Sequence, residues 1–232
     1  MVGGLLTEED VAKLVAVMKS YERKSKLPHY DMWGKATRSY KFKVEEFRLV
    51  AAECPKPSGA NMLALDAGCG YGVYSLMLSQ KGYNVVALDV SAGMLRKAKN
   101  SVKNENVSFV RGSITRLPLR EDLFDLTLCL DTLHHLTDSF LDKALEEFRR
   151  TIRYCGVLVT DTRNALNPAI SVQYWIRNRK WDEEGGLTLK ARSLRNMREK
   201  MSRHRFKIAR TKGIRFTLNA LAPYILIVSK AV

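Results

Sequence analysis

With 232 residues, 46% of them hydrophobic, the chain can bury the core of one sizeable α/β domain with a modest addition, but not the cores of two independent domains. Its formal net charge is +15, and residues 162–232 hold 16 Lys/Arg against four acids, so +12 of that charge is carboxyl-terminal and the rest of the chain is nearly balanced. That distribution fits a solvated face, or a polyanionic partner such as RNA, an anionic membrane surface or a phosphorylated acceptor.

Residues 7–10 read as a capping box with Asp10 in place of the usual Glu, and Val11, Leu14, Val15 and Met18 recur at helical spacing, which predicts an amphipathic helix over 8–24. The stretch 27–40 is rich in aromatic and turn residues, among them Tyr30, Trp33 and Tyr40, and a further helix is predicted over 41–53, stopped by Pro55. Residues 55–59, Pro-Lys-Pro-Ser-Gly, are the clearest linker, which divides the chain into 1–57 and a main domain at 58–232. No basic start runs into an uninterrupted apolar segment, and the apolar run 220–228 is broken by Pro223 and too short for a bilayer, so a cytoplasmic protein is expected.

Residues 62–72, Met-Leu-Ala-Leu-Asp-Ala-Gly-Cys-Gly-Tyr-Gly, read as a short buried strand and a tight turn with glycines at alternate positions, leading into a helix over 71–81. A helix amino terminus aimed at such a turn favours negative charge, so the expected ligand is a nucleotide or carries a carboxylate. The dinucleotide fingerprint G-x-G-x-x-G fails because Val73 stands three places after Gly70, and the phosphate loop fails for want of a following Gly-Lys-Ser/Thr. With Asp66 ahead of the glycines, the stretch resembles instead the first motif of class I methyltransferases that use S-adenosylmethionine.

A second strand is predicted over 84–89, with Asp89 seventeen residues beyond Gly72 at its carboxyl end, where an acid in a doubly wound sheet accepts from the ribose hydroxyls. The other reading of Asp89 is a helix cap before Ser91. A third strand over 107–110 ends in Arg111-Gly112-Ser113-Ile114, which resembles the family's third motif, although Ser113 stands where a carboxylate usually meets the adenine amino group. Phe124-Asp125, a strand over 126–130 and the ending Leu133-His134-His135-Leu136 resemble the fourth motif. The resemblance implies S-adenosyl-L-methionine held by Asp66, Gly68, Cys69, Gly70 and Tyr71 at the turn, by Asp89 and Val90 after the second strand, and by Ser113, Ile114 and Leu130.

His135, and after it His134, are candidate general bases, because histidine exchanges protons near neutral pH; capping the turn or packing on the cofactor is the other reading of each. Adjacent on a helix, the two would point about a hundred degrees apart and not share one ion in the usual way. Cys54, Cys69, Cys129 and Cys155 form no C-x-x-C and have no histidines at zinc-site spacing, so no metal is expected.

A helix is predicted over 138–152 and a fifth strand over 157–160, and the segment 162–188 is expected to be an acceptor-side insertion. In the family such a segment lines the substrate pocket and the amino-terminal part, here 1–57, folds over the cofactor as a helical lid. Tyr30 and Tyr40 from the lid and Asp161, Arg163, Asn164 and Tyr174 from the acceptor side are therefore the substrate-pocket candidates. A last helix over 189–203, with Leu194, Met197 and Met201 inward and Arg192, Arg195, Arg198 and Lys200 mostly outward, precedes an antiparallel hairpin of 206–211 and 222–229.

The resemblance spans residues 60–230 and implies a doubly wound, seven-stranded, mostly parallel α/β sheet in the order three, two, one, four, five, seven, six, closed by the hairpin. In that fold Cys129 and Cys155 lie on neighbouring strands and are the pair a disulfide would join, although free buried thiols are the commoner state. The implied activity is direct methyl transfer to a small-molecule or lipid-like acceptor, as in the branch that includes the quinone-biosynthesis methyltransferases. Two alternatives stand beside it. One is an RNA methyltransferase using the basic carboxyl-terminal region, opposed by the missing N/D-P-P-Y/F motif, and the other is a non-catalytic S-adenosylmethionine-binding protein.

Overall fold

Alternate residues of a strand fall on opposite faces, and the central strands of this chain are apolar on both, a pattern that suits parallel strands covered on two sides by helices. A computed structural model describes residues 38–183, 189–214 and 221–232, apart from the side chains of 38–44 and 180–183. The helix expected over 8–24, Tyr30, Trp33, the Tyr40 side chain and the Gly185-Gly186 break lie outside the described residues.

In chain order the elements are α1 (Arg38–Glu53), β1 (Leu63–Ala67), α2 (Val73–Gln80), β2 (Asn84–Asp89), α3 (Ala92–Ser101), β3 (Val107–Arg111) and β4 (Phe124–Cys129). A 3-10 turn (Leu133–His135) follows, then α4 (Asp138–Thr151), β5 (Ile152–Arg163), α5 (Pro168–Glu183), α6 (Leu194–Arg203), β6 (Phe206–Ile214) and β7 (Tyr224–Ala231). The seven strands form one sheet in the order β3-β2-β1-β4-β5-β7-β6, the fold and order expected from the sequence. Strands β1 to β5 pair in parallel, and β7 runs antiparallel to both β5 and β6.

The two faces separate cleanly along single strands. Ala64 and Val85 join Val50 of α1, Met77 and Leu78 of α2 and Leu95 of α3 in one core. Leu65 and Ala67 join Phe140, Leu141 and Phe148 of α4 and Met197 and Met201 of α6 in the other. These helices thus cover the sheet with their apolar stripes, which removes the central strands from water on both sides. Among the described residues no helix is long and apolar enough to cross a membrane.

Three expectations need correction. β5 is 12 residues long, not four, because both of its ends find partners: Ile152 pairs with Phe124 of β4, and Asp161, Thr162 and Arg163 pair with Leu226, Ile225 and Tyr224 of β7. Asp161, Thr162 and Arg163 are therefore strand residues, and the segment beyond the sheet begins only after them. The last helix starts at Leu194, capped by the Ser193 hydroxyl, which accepts from the Asn196 amide at 3.2 Å. Arg192 and Lys200 are buried, not outward, because each finds carboxylate partners on or beside α4, Asp138 for Arg192 and Asp142 for Lys200. All four cysteines are free; Cys129 faces Thr160 near the carboxyl end of β5, whereas Cys155 is exposed near the other end of that strand.

Candidate cofactor and acceptor site

The carboxyl ends of β1, β2 and β4 converge where sequential strands diverge from β1, the usual ligand crevice of an open α/β sheet. The glycine turn leaves β1 and leans onto β2: the Gly68 and Cys69 amides both donate to the Leu88 carbonyl, at 2.8 and 2.9 Å. Gly68 has φ 84°, and a Cβ built there would meet Thr132 Oγ1 at 2.3 Å, so only glycine lets the first turn touch the loop after β4. Gly70, at φ 52°, is different. A Cβ built on it meets nothing within 4 Å, so its backbone faces open space.

Asp89 ties this turn together. Its Oδ2 accepts from the Gly70 amide at 2.9 Å and its Oδ1 from the Ser91 amide at 2.9 Å, while its main-chain carbonyl accepts from the Gly112 amide at 3.0 Å. Burial raises its pKa, and the bonds from Ser91 and Gly70 pull the other way. The Val90 amide adds a third backbone interaction, and an ionised carboxylate has about four acceptor sites, so Asp89 can hold the turn and still receive a hydroxyl donor. Ser91 caps α3 with its own hydroxyl, accepting from the Met94 amide at 3.2 Å, so Asp89 steadies the entry to that helix without being its cap.

Beneath the turn, Asp66 is buried and its Oδ2 accepts from Ser75 Oγ at 2.6 Å, which pins α2 to β1. Burial pushes its carboxyl up to about 7, with Ser75 opposing and the nearby Asp89 charge adding to the rise. Asp66 thus acts on the turn from below. Cys69 is buried and Tyr71 half-buried, with Lys97 Nζ 5.4 Å from the Tyr71 ring centroid. Ser113 holds its own loop, its hydroxyl 2.8 Å from Thr115 Oγ1 and accepting from the Thr115 amide at 3.2 Å. Val90 is half-buried after β2, and Ile114 and Leu130 are buried in the two cores.

The acceptor side is built from charged side chains. Arg163, buried at the end of β5, donates through Nη1 to Asp161 Oδ2 and through Nη2 to Asp131 Oδ1, and its guanidinium lies 3.8 Å from the Tyr224 ring centroid. Asp161 Oδ1 accepts from the Asp131 amide at 3.0 Å. These contacts hold Asp131, a non-glycine residue, at φ 52° in the left-handed region, a conformation that survives only where surroundings over-determine it. Asn164 is buried, donating through Nδ2 to the Ala222 carbonyl at 3.0 Å and accepting the Leu166 amide at 3.0 Å.

His134 and His135 sit on the 3-10 turn with ring centroids 3.9 Å apart, and the Tyr174 ring of α5 lies 6.3 Å from that of His134. Burial raises Tyr174 to about 12, against the lowering influence of Arg163, so near neutral pH it keeps its proton. The histidine turn itself is fastened by Arg192. Nη1 donates to the Leu133 carbonyl at 3.0 Å, Nη2 to the Leu136 carbonyl at 2.6 Å and Nε to Asp138 Oδ1 at 3.0 Å, while the Lys190 amide donates to the His134 carbonyl at 2.8 Å. The roles of Arg192, Asp131 and Tyr224 escape a sequence reading, since their partners lie far away in the chain; Asp131 alone carried a signal, its place beside the fourth motif.

The structure therefore brings Asp66, Gly68, Gly70 and Asp89 together at one end of the sheet, and Asp131, Asp161, Arg163, Tyr174 and the histidines beside them. The residues fit a nucleoside: bare backbone at Gly70 and hydroxyl-accepting capacity at Asp89, with Asp131 and Asp161 sharing the Arg163 guanidinium beside them.

Comparison with known proteins points the same way. A family model described as a methyltransferase domain matches residues 64–156. The chain is similar to malonyl-[acyl-carrier protein] O-methyltransferase of Hamiltonella defensa, 35% identical over 52% of this chain and 44% of that one, so it spans under half the length of this curated relative. Among solved structures it is similar to magnesium protoporphyrin IX methyltransferase from Synechocystis, at TM-score 0.68 and 17% identity over 97% of this chain and 100% of that one. It is also similar to an S-adenosylmethionine-dependent methyltransferase from Mesorhizobium loti, at TM-score 0.65 and 20% identity over 80% of this chain and 97% of that one. Strand order, glycine turn and family match agree: residues 64–156 match a methyltransferase domain, set in a sheet with the fold of S-adenosylmethionine-dependent methyltransferases.

Proposed function

We propose that the protein transfers a methyl group from S-adenosylmethionine to a small-molecule or lipid-like acceptor by direct in-line displacement. The observation that carries this reading is the glycine turn, whose one open position, Gly70, is bonded to the acid at the end of β2. S-adenosylmethionine supplies an activated methyl on a sulfonium, so the protein need only align, exclude water and receive a proton.

Asp89 accepts the ribose hydroxyls with the capacity that its backbone donors leave in hand. On the acceptor side, Tyr174 offers a hydrogen-bond donor and His135, with His134 beside it, takes the proton an acceptor hydroxyl or amine releases. Asp131, Asp161, Arg163 and Asn164 shape the wall behind them.

Calorimetry with the donor tests the site, and Asp89→Ala is expected to weaken binding by about 1–3 kcal/mol; unchanged affinity rejects the ribose assignment. His135→Ala is expected to slow turnover while sparing donor affinity, and an unaffected rate removes its role as base. Incubation with radiolabelled donor and fractionated lipids, small metabolites and RNA tests the acceptor class. Label in lipid or small metabolites is the expected result, and label in RNA alone overturns it.

A further inference from the structure

Helix α5 has apolar residues on two opposite sides. Its inner side sends Ile170 and Tyr174 into a small cluster with Leu189, and Asn178 fastens it there by donating to the Leu189 carbonyl at 3.0 Å and accepting the Leu189 amide at 2.7 Å. At about a hundred degrees per residue, Val172, Trp175 and Ile176 project the other way. They are 56%, 63% and 44% exposed. Leu166, just before the helix, and Leu221, whose carbonyl accepts from Asn167 Nδ2 at 2.7 Å, are exposed as well. Among the described residues, these are five of the seven large apolar side chains left in solvent, so the exposure is concentrated, not scattered.

The charge on this face decides what covers it. Arg179 is exposed on this side of the helix, with its guanidinium 5.6 Å from the Trp175 ring centroid. Branched aliphatic side chains add little to a nucleic-acid surface, which relies on stacked rings and phosphate contacts. Aliphatic residues, one tryptophan and an arginine on one exposed side are what a helix lying in a membrane interface requires: apolar groups at the acyl boundary, the indole at headgroup level and a cation on lipid phosphate. Tyr174, next in sequence to Trp175, reaches inward to the histidine turn, so the same helix separates solvent from the acceptor side.

We propose that the outward face of α5 seats the protein on an anionic lipid bilayer, so that a lipid-like acceptor enters the site from the membrane side. This deepens, and rests on, the reading of the site as one for lipid-like acceptors. The full chain is sedimented with vesicles of equal parts phosphatidylglycerol and phosphatidylcholine, and with vesicles of phosphatidylcholine alone. It is expected to partition onto the first far more than the second, with binding reduced by added salt. Trp175→Ser combined with Ile176→Ser is expected to lower that partition at least tenfold, with donor affinity and thermal midpoint unchanged.

No binding to the anionic vesicles overturns the proposal, and so does a double variant that binds as well as the parent. A parent dimer that the double variant converts to monomer, with vesicles left unbound, assigns the face to a second copy and also overturns it. Donor calorimetry separates the two levels: a chain that binds donor but ignores vesicles refutes the docking face alone, whereas a chain that binds vesicles but no donor refutes methyl transfer.

Discussion

The two halves of the site are made of different material. At the ends of β1 and β2 the work is done by main chain: the Gly68 and Cys69 amides on Leu88, the Gly70 amide on Asp89, and a turn whose shape excludes any side chain at Gly68. At the ends of β4 and β5 it is done by buried charges, with Arg163 shared between Asp131 and Asp161, and Arg192 reaching across to the histidine turn. A backbone cradle suits a ligand whose shape does not vary. Side-chain networks can be rebuilt residue by residue, so under the proposed function acceptor choice falls to the half where substitution changes geometry.

The largest expected effect falls on the charged half. Arg192→Met leaves the Leu133 and Leu136 carbonyls without their buried donor, and a loss of about 3 kcal/mol of stability is expected in urea-induced unfolding. A loss no greater than that of an exposed arginine such as Arg195 would show that the histidine turn stands without it. The matching test of the backbone half is Gly68→Ala, expected to cost about 2–3 kcal/mol through the contact with Thr132 and the left-handed φ. Adding Thr132→Ala should restore part of that loss; no recovery would mean that the close approach is not what demands glycine.

Asp66 sharpens the comparison, since it is the one ionisable group placed beneath the main-chain cradle. Its carboxyl stands at about 7 in the folded chain against an ordinary 3.8, so between those values the folded chain holds a proton that the unfolded chain has released. Its contribution to stability is therefore complete below about 4 and is lost as pH rises to about 7. Asp66→Asn, which can still accept from Ser75, should be more stable than the parent by about 2 kcal/mol near pH 8 and lose that advantage near pH 4. Parallel stability curves for the two would show that Asp66 does not titrate in this range. The smallest expected effect on stability is that of Gly70→Ala, about 1 kcal/mol, because only the positive φ opposes it. Its donor affinity should nevertheless fall at least tenfold in calorimetry, and an undiminished affinity would mean that the open side of the turn is not the binding side.

Much of this architecture is legible in the chain because local rules carry it. The buried strand over 84–89 and the helix after the fourth motif follow from period among near neighbours, and they appear in place. The glycine turn is legible for the same reason. Its alternate glycines mark it locally, although Leu88 and Asp89 of β2 and Thr132 after β4 fix its final shape.

Only the tertiary structure decided the length of β5 and the fate of the arginines. Asp161 and Arg163 become strand residues because β7, more than 60 residues later, offers a partner, and Arg192 turns inward because Leu133, Leu136 and Asp138 wait there with acceptors. A charged residue carries no mark of its burial in its own neighbourhood, since the cost of taking it out of water is offset by partners the local sequence does not name. The sequence by itself marked the strands and the glycine turn, with their order coming from the family resemblance; folding alone determined which charges face each other beside that turn.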